Sequence, residues 1–470
     1  MDLISGFPKN LAYTLKQLSN FTKQTVKIIP DRTNSIGFGE VSRFKLPASA
    51  LIDADVSLYK GGGTGYSLHL PRNTASLIQQ ITITCNGVQL CNINDYNLLF
   101  NTLYDIEGAD FSQGSKRLLE NFDPSVYFYQ GTTNTTNSPI GVINAQDGTS
   151  ASNGETNRPI VINNFLGFLS SLSTPVLDLN DTGDIYIDIR WAPTSVLWGS
   201  SYTTAPTYSN NPTGCSFNNL RMTCSKINFE SSEYYTLKEE KLLGDGLLVG
   251  FYDYWTSRGT ATAKSSGINM NFNITTNSLD QIITTFQQSD YQTIKELVLY
   301  NSKATTMNNL ITYNKYLNDP ITNTGAAGTV GDGFNQSYYF MRAGGDLLTS
   351  QYSINSVNID PYPLPPSEIW NQNLIALGMN NLDMGNSGVH ASCLSLWHFL
   401  KYYFCHILSL ENLSGDGQFW RSGLSGNGST ININYSATFN SGCTESVQPV
   451  IFCRSTKVLS IKAGHIITVV

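Results

Sequence analysis

Four side chains late in the chain have the types that bind metal ions. Cys393, His398, Cys405 and His406 lie in one largely apolar stretch, CLSLWHFLKYYFCHILSL. Thiolate and imidazole groups suit zinc, but structural zinc sites usually present them in closely spaced pairs. The spacing here matches no such pattern, so packing beneath neighbouring aromatic side chains is the favoured interpretation, and we predict no metal site.

Two carboxylates could in principle cleave a glycosidic bond. Asp184 and Asp188 fall on one face of a predicted strand, TGDIYIDIRW. Catalytic carboxylate pairs flank the scissile bond and normally converge from separate strands. A solvated strand face therefore explains these two acids at least as well, and a carbohydrate-binding or carbohydrate-cleaving β-sandwich protein stays an alternative.

Other catalytic patterns are incomplete. The GGGTG at residues 61–65 is not followed by the Lys-Ser/Thr of a phosphate-binding loop. Five histidines are present, but no GxSxG motif marks a nucleophile, and the eight cysteines form no CxxC pair. We predict no catalytic, cofactor-binding or metal-binding residues, reduced cysteines and no enzyme activity.

The overall charge argues against direct binding of nucleic acid. Charged residues make up 13% of the chain and the net charge is −7, whereas about 25% charged residues is usual. No basic run is present that could displace counterions from a phosphate backbone. The N-terminus does not resemble a secretory signal, and we predict no membrane-spanning segment.

The elements that would position any site are mostly strands. In LPRNTASLIQQITITCNGVQLCNINDYNLLFNTLYD, residues 70–105, apolar and polar residues alternate before and after Asn86-Gly87, which predicts a hairpin with a two-residue turn. A helix is predicted next, with a possible cap at Asn94, packed across one end of a sheet. Its apolar residues at helical spacing are Tyr96, Leu99, Phe100, Leu103 and Ile106.

Strand patterns recur through the rest of the chain and predict an all-β protein. In the second half they include GLLVGFYDYW, INMNFNITTN, IKELVLYN and STININYSATF, while SEIWNQNLIALG has helical spacing. The two halves also resemble each other in sequence at two places. Near the start of each half there is a similar pair of segments, FKLPASALIDADVSLY then SLIQQITITCNG in the first and FNITTNSLDQIITTF then TIKELVLYNS in the second. Near the end of each half there is another, DIYIDI then RMTCSKINF in the first and TININYSATF then TKVLSIKAGHI in the second. This weak repeat predicts two sandwiches, residues 31–243 and 244–470, after an N-terminal arm at residues 1–30.

Several of these segments resemble a known family. FKLPASALIDADVSLY, the 70–105 segment, RWAPTSVLWG, FNITTNSLDQIITTF, PPSEIWNQNL, LSLENLSGDGQFWRSGLSG and KAGHIITVV are similar to the major capsid proteins of Polinton-like viruses and virophages, over residues 38–470. The resemblance implies two consecutive eight-stranded antiparallel jelly-roll sandwiches with short helical insertions. It implies homotrimeric capsomers of pseudo-hexagonal outline that tile the icosahedral shell of a virion, with neighbouring capsomers, minor capsid or penton proteins and an internal membrane as partners.

One N-terminal segment has the pattern of an amphipathic helix. Leu11, Leu15, Leu18 and Phe21 recur at helical spacing, and lysines give the segment a local positive charge. We expect it either to dock on a neighbouring capsomer, a minor capsid protein or an internal membrane, or to pack against its own first sandwich.

Overall fold

The computed structural model describes about three fifths of the chain. The described residues are 21–31, 36–48, 51–61, 68–69, 74–107, 160–162, 165–174, 176–196, 198–199, 216–229, 232–244, 246–292, 337–377, 396–411, 423–426, 428–464 and 466–469. No helix among them is long and apolar enough to cross a membrane.

Strands dominate the described part of the first half. They are β1 (Phe21–Ile28), β2 (Ile36–Gly37), β3 (Val41–Lys45), β4 (Leu51–Gly61), β5 (Leu68–His69), β6 (Ile78–Cys85), β7 (Val88–Asn94), β8 (Ile160–Ile162), β9 (Val176–Asp178), β10 (Ile185–Trp191), β11 (Trp198–Gly199) and β12 (Ser216–Phe229). Helix α1 (Tyr96–Glu107) follows β7, and helix α2 (Ser232–Leu243) follows β12.

The second half has the same character. Its described strands are β13 (Leu247–Arg258), β14 (Thr262–Ala263), β15 (Ile268–Ile274), β16 (Leu279–Gln288), β17 (Leu347–Ile354), β18 (Val357–Asn358), β19 (His406–Ser409), β20 (Ile431–Phe439), β21 (Ser446–Lys462) and β22 (Ile466–Val469). Helices α3 (Pro366–Ala376) and α4 (Leu396–Tyr402) lie between β18 and β19.

Each half has two main antiparallel sheets, and the two halves share one topology; β5 and β11 of the first half pair in a further two-stranded sheet. The first half has the orders β1-β12-β4-β8 and β3-β10-β6-β7, and the second half has β13-β21-β16-β19 and β15-β20-β17-β18. When the eight main strands of each half are numbered in sequence, both halves read 1-8-3-6 and 2-7-4-5. This is the strand order of a jelly roll, so the predicted fold of two consecutive jelly-roll sandwiches is confirmed.

The local predictions in the first half hold closely. Asn86 and Gly87 form the turn between β6 and β7 with φ angles of 47° and 80°, the conformation that a two-residue hairpin requires. The helix begins at Tyr96 as expected, but Asp95, not Asn94, directly precedes it, because Asn94 is still the last residue of β7.

Two sequence-based expectations differ from the structure or lie beyond it. Strand β1 falls within residues 1–30, which the sequence assigned to a separate arm, but it pairs with β12 from Phe21↔Phe229 to Ile28↔Met222 and so belongs to the first sandwich. The predicted strand IKELVLYN lies outside the described residues.

The hairpin of the second sandwich equivalent to β6–β7 is β17–β18, whose turn residues Asn355 and Ser356 have φ angles of 50° and 66°.

Candidate functional site

The candidate site is the junction between the two sandwiches, and helix α1 lies inside it. Residues 96–106 of this helix are all buried, although its sequence pattern predicts burial of one face only. Two of its polar side chains are satisfied within the first sandwich: Asn101 Nδ2 donates to Ser76 Oγ at 2.6 Å, and Thr102 Oγ1 donates to the Leu98 carbonyl at 2.7 Å. A helix buried on all sides needs a second covering layer, and the second sandwich contributes Arg342 to it.

A buried ion pair joins α1 to the second sandwich. Arg342 Nη2 donates to Asp105 Oδ2 at 2.6 Å, and the side chains are 0% and 2% exposed. The guanidinium also lies over the Tyr403 ring at 5.7 Å, and the Arg342 backbone N–H donates to the Tyr402 carbonyl. Because breaking such a pair strands a charge away from water, the contact fixes how α1 meets the second sandwich.

A second ion pair lies where β7 passes into α1. Arg258 on β13 binds Asp95 through two hydrogen bonds, Nε to Oδ2 at 2.7 Å and Nη2 to Oδ1 at 2.9 Å. Its Nη1 also donates to Gln287 and Gln448, which ties the pair to β16 and β21. Burial lowers the pKa of Arg258, but hydrogen bonding to Asp95 and the charge of that carboxylate outweigh it, and the net pKa is raised. A two-point contact of this kind fixes orientation as well as distance.

Backbone contacts extend the junction along β13. Ser171 Oγ accepts from the Tyr252 N–H at 2.7 Å, and Ser173 Oγ accepts from the Gly250 N–H at 2.8 Å. Gly167 begins the short helix Gly167–Leu169 with φ 74°, and an added Cβ would lie 2.7 Å from Ile93 Cδ1. Only glycine allows this loop to approach β7 so closely.

The connecting helix α2 contacts both sandwiches. Lys238 forms ion pairs with Asp178 at 3.2 Å and Asp181 at 2.7 Å in the first sandwich. Burial lowers the pKa of Lys238, but these two carboxylates together raise it by more than burial lowers it. The net pKa is therefore raised, and the ammonium form is favoured. At the other end, the Ala463 N–H donates to the Leu242 carbonyl. Helix α2 is therefore an ordered connection that contacts both sandwiches, and we call it the brace of α2.

The two strand acids singled out from the sequence are paired with cations on the neighbouring strand. Asp188 accepts two hydrogen bonds from Arg43, each at 2.7 Å, and Asp184 accepts one from Lys45 at 2.7 Å. The hydrogen bonds and charge of Asp188 raise the pKa of Arg43. Asp188 lies on β10 and Asp184 directly before it, and both pairs lie at an exposed strand surface, which is the arrangement of solvated charges.

The His and Cys residues considered for metal binding are used in other ways where the structure describes them. His406 is buried, with Nδ1 2.8 Å from Ser350 Oγ and Nε2 2.8 Å from Gln372 Oε1. Burial lowers the pKa of His406 to about 3. Cys405 Sγ lies 3.6 Å from Asn373 Nδ2. His398 lies on α4, Cys393 is outside the described residues, and the described part of the chain contains no group of three metal-binding side chains.

The N-terminal docking residues are mostly beyond the description. Leu11, Leu15 and Leu18 lie outside the described residues, and Phe21 is the first residue of β1. A helix that contains Leu11, Leu15 and Leu18 would therefore have to end before Phe21. The docking hypothesis stays a prediction.

Sequence reasoning did not identify the junction residues. Asp105 lies within the apolar helix segment YNLLFNTLYDIE, and Arg342 lies in YYFMRAGG. An isolated charge in an apolar segment of a chain with only 13% charged residues was the available signal, since such a charge is seldom buried without a partner.

The fold is shared with solved virus structures. No family model and no curated protein matches the chain. The protein VP54 of PBCV-1, in a crystal structure fitted into a cryo-EM reconstruction of the virophage Sputnik, aligns over 96% of both chains with 12% identity and a TM-score of 0.57. A quasi-atomic model of the PBCV-1 virus capsid aligns over the same shares with 12% identity and a TM-score of 0.56. A chain of the Sputnik virophage, determined by cryo-EM, aligns over 100% of this chain and 93% of its own length with 11% identity and a TM-score of 0.50.

These likenesses concern the whole length of the chain and show its fold. The predicted resemblance to double jelly-roll major capsid proteins is confirmed at that level. The assignment to Polinton-like viruses in particular stays a prediction.

Proposed function

We propose that this chain is a major capsid protein that assembles into homotrimeric capsomers of pseudo-hexagonal outline, which tile an icosahedral virus shell. Three chains contribute six similar sandwiches, and six similar blocks around one axis give a hexagonal tile. The protein acts through shape and contact surfaces and catalyses no reaction. Its place is the capsid shell of a virion.

The observation that carries this proposal is the junction. Two sandwiches of identical strand order are joined by Arg342–Asp105, Arg258–Asp95 and the brace of α2. A tile must keep its shape when it meets its neighbours, and buried ion pairs resist the sliding of one sandwich over the other because sliding would leave charges unpaired. We place the boundary between the two units at residues 243–244, with a first unit that includes β1.

The proposed partners are other copies of the chain, neighbouring capsomers, minor capsid or penton proteins and an internal membrane. No direct sequence-specific contact with nucleic acid is proposed, because the net charge of −7 and the scattered cations do not suit a phosphate backbone. The alternative of a carbohydrate-cleaving protein loses support because Asp184 and Asp188 are each paired with a cation on a strand surface.

Light scattering on the purified recombinant chain, followed by negative-stain imaging of the same sample, tests the proposal. We expect three times the mass of one chain and particles with a six-sided outline. A stable monomer over the micromolar range, without six-sided particles, would contradict the trimeric capsomer.

The N-terminal segment is tested separately. We propose that Leu11, Leu15 and Leu18 mark a segment that docks outside its own capsomer, whereas Phe21, the fourth residue of the pattern, pairs with Phe229 in the first sandwich. Because β1 begins at Phe21, the deletion should end at residue 20, so that the first sandwich keeps its edge strand. Trimers should persist while contacts between capsomers are lost, and normal shell assembly by the truncated chain would refute docking.

A further inference from the structure

One lysine of helix α2 contacts two carboxylates at a buried position. Lys238 Nζ lies 3.2 Å from Asp178 Oδ2 and 2.7 Å from Asp181 Oδ2. The side chains of Lys238 and Asp178 are 8% and 6% exposed, and the Oδ2 atom of Asp181 is buried. We call these three residues the lysine triad. One carboxylate each is contacted by the other lysines whose ion pairs are described, Lys45, Lys264 and Lys457.

The two carboxylates of the lysine triad are held differently. Asp178 Oδ1 accepts hydrogen bonds from the backbone N–H and the Nδ2 of Asn180, at 2.9 and 2.7 Å, and its Oδ2 accepts one from the Tyr234 hydroxyl at 3.0 Å. By contrast, Asp181 Oδ2 makes no hydrogen bond within the described part of the chain, although Nζ lies 2.7 Å away. Asp178 is therefore fixed in place by three donors, and Asp181 presents its carboxyl oxygen to the lysine nitrogen.

An amine and a carboxyl group held in contact can condense to an amide. In water, solvation of the two separate ions opposes this reaction, but burial removes most of that solvation. Burial also excludes the water that would compete with the amine. Holding two groups at the right distance corresponds to an effective concentration of about 10⁵–10⁸ M in well-oriented cases. The lysine triad therefore meets the main requirements for condensation.

We propose that Lys238 and Asp181 form an isopeptide bond, an amide between Nζ and Cγ, after the chain has folded. Asp178 is the group that transfers the protons. The bond joins α2 to the loop between β9 and β10, so the brace of α2 becomes covalently attached to the first sandwich. Each chain undergoes this step once, on itself, and the step goes beyond the assembly function proposed above.

The reaction balances without another reactant. The ammonium of Lys238 gives one proton, through Asp178, to Asp181 Oδ2, which leaves a neutral amine and a neutral carboxylic acid. The nitrogen lone pair then forms a bond to Cγ of Asp181. Asp178 takes a second proton from this nitrogen and returns it to the hydroxyl oxygen, and the bond from Cγ to that oxygen breaks as water leaves. Asp178 ends as the carboxylate with which it began.

The product suits the site. The amide removes one buried cation and one anion, and Asp178 keeps its hydrogen bonds from Asn180 and Tyr234. The new amide N–H takes the place of Nζ, which lies 3.2 Å from Asp178 Oδ2, and can donate to that oxygen. Like a disulfide, the bond closes a loop of the chain and limits the freedom of the unfolded state.

Mass spectrometry of the full chain tests the proposal. The folded protein is incubated near neutral pH, denatured and weighed intact. We expect a mass lower than that of the sequence by one water molecule. Trypsin should then release one branched peptide, because it does not cleave after an acylated lysine, and fragmentation of that peptide should place the branch between Lys238 and Asp181.

Three variants assign the roles. Lys238→Arg keeps the cation but has no amine, so it should keep the full mass. Asp178→Asn keeps both reacting groups and should form the bond at least about 100-fold more slowly, as expected for the loss of a proton-transfer group. The matched control is Lys457→Arg, which changes a lysine that lies 2.5 Å from the single carboxylate of Asp253. It should lose one water as the wild type does.

Each contrary result has a definite meaning. A wild-type chain with the full mass of its sequence overturns the isopeptide bond, and so does an equal loss of water in Lys238→Arg. A branch at Asp178 overturns the choice of Asp181 as the reacting carboxyl group. An unchanged rate in Asp178→Asn overturns its role in proton transfer. Because the mass of one chain does not depend on assembly, this inference and the proposed capsomer stand or fail separately.

Discussion

Removal of the charge of Arg342 should weaken the protein far more than removal of an exposed arginine. In Arg342→Met, a chain of similar length replaces the guanidinium, and Asp105 remains 2% exposed without the cation that lies 2.6 Å from it. Breaking a buried pair by removing one partner costs about 3–5 kcal/mol. We expect the equilibrium constant for unfolding to rise by roughly two to three and a half orders of magnitude.

Urea unfolding at one fixed protein concentration measures this loss, since assembly would otherwise shift the apparent stability. The matched control is Arg43→Met. Arg43 binds Asp188 with equally short hydrogen bonds, but its side chain is 52% exposed, so the expected loss is at most about 1 kcal/mol. The double variant Arg342→Met/Asp105→Leu removes both charges and should lie within about 1 kcal/mol of wild type.

Two results would refute the reasoning. Arg342→Met could lose no more than Arg43→Met, in which case the junction pair behaves as a solvated pair. The double variant could lose the sum of the two single losses, in which case Arg342 and Asp105 act independently and the charge contact does not couple the sandwiches.

Three further predictions concern single sites. Gly167→Ala should lower the free energy of unfolding, measured in urea, more than Gly39→Ala does. Both glycines have a positive φ, which costs an alanine about 1–2 kcal/mol. An added Cβ would lie 2.7 Å from Ile93 at Gly167, but would meet nothing within 4 Å at Gly39. Equal losses of stability in the two variants would mean that the loop containing Gly167 shifts to make room for the added Cβ. The pKa of His406 is about 3 in the folded state and about 6.5 in the unfolded state. Between these two pH values only the unfolded state binds the proton, so the free energy of unfolding should fall by about 1.4 kcal/mol for each unit by which the pH is lowered. His406→Gln should lack that part of the slope when unfolding is compared between pH 7 and 4. Finally, six of the eight cysteines are buried, and burial raises the pKa of Cys85 to about 12. No more than two thiols should react quickly with a thiol reagent before denaturation, and a third fast thiol would contradict the described burial.

The predictable parts of the fold are those with local causes. The hairpin β6–β7 follows from alternation around Asn86-Gly87, because the turn geometry selects those two residues. Its counterpart in the second sandwich turns at Asn355-Ser356. Serine seldom adopts the positive φ that this turn requires, so the local signal was absent and the echo between the halves was placed on a different segment, TIKELVLYNS.

The burial of α1 shows where local reasoning ends. The spacing of Tyr96, Leu99 and Leu103 correctly predicts the helix and its inner face. Burial of Asp105 on a further face of the helix involves Arg342 of the second sandwich, which the chain reaches 237 residues later. Helical periodicity reports one packing surface, so a helix between two domains is assigned an exposed face that it does not have.

The junction itself required knowledge of which distant charges meet. Arg342 and Asp105 are 237 positions apart, and Arg258 and Asp95 are 163 positions apart. Each pair gives little net stability compared with well-packed apolar residues, but a mismatched arrangement would bury unpaired charges at a cost of several kcal/mol. The pairs therefore select one relative placement of two sandwiches whose apolar surfaces alone would accept several.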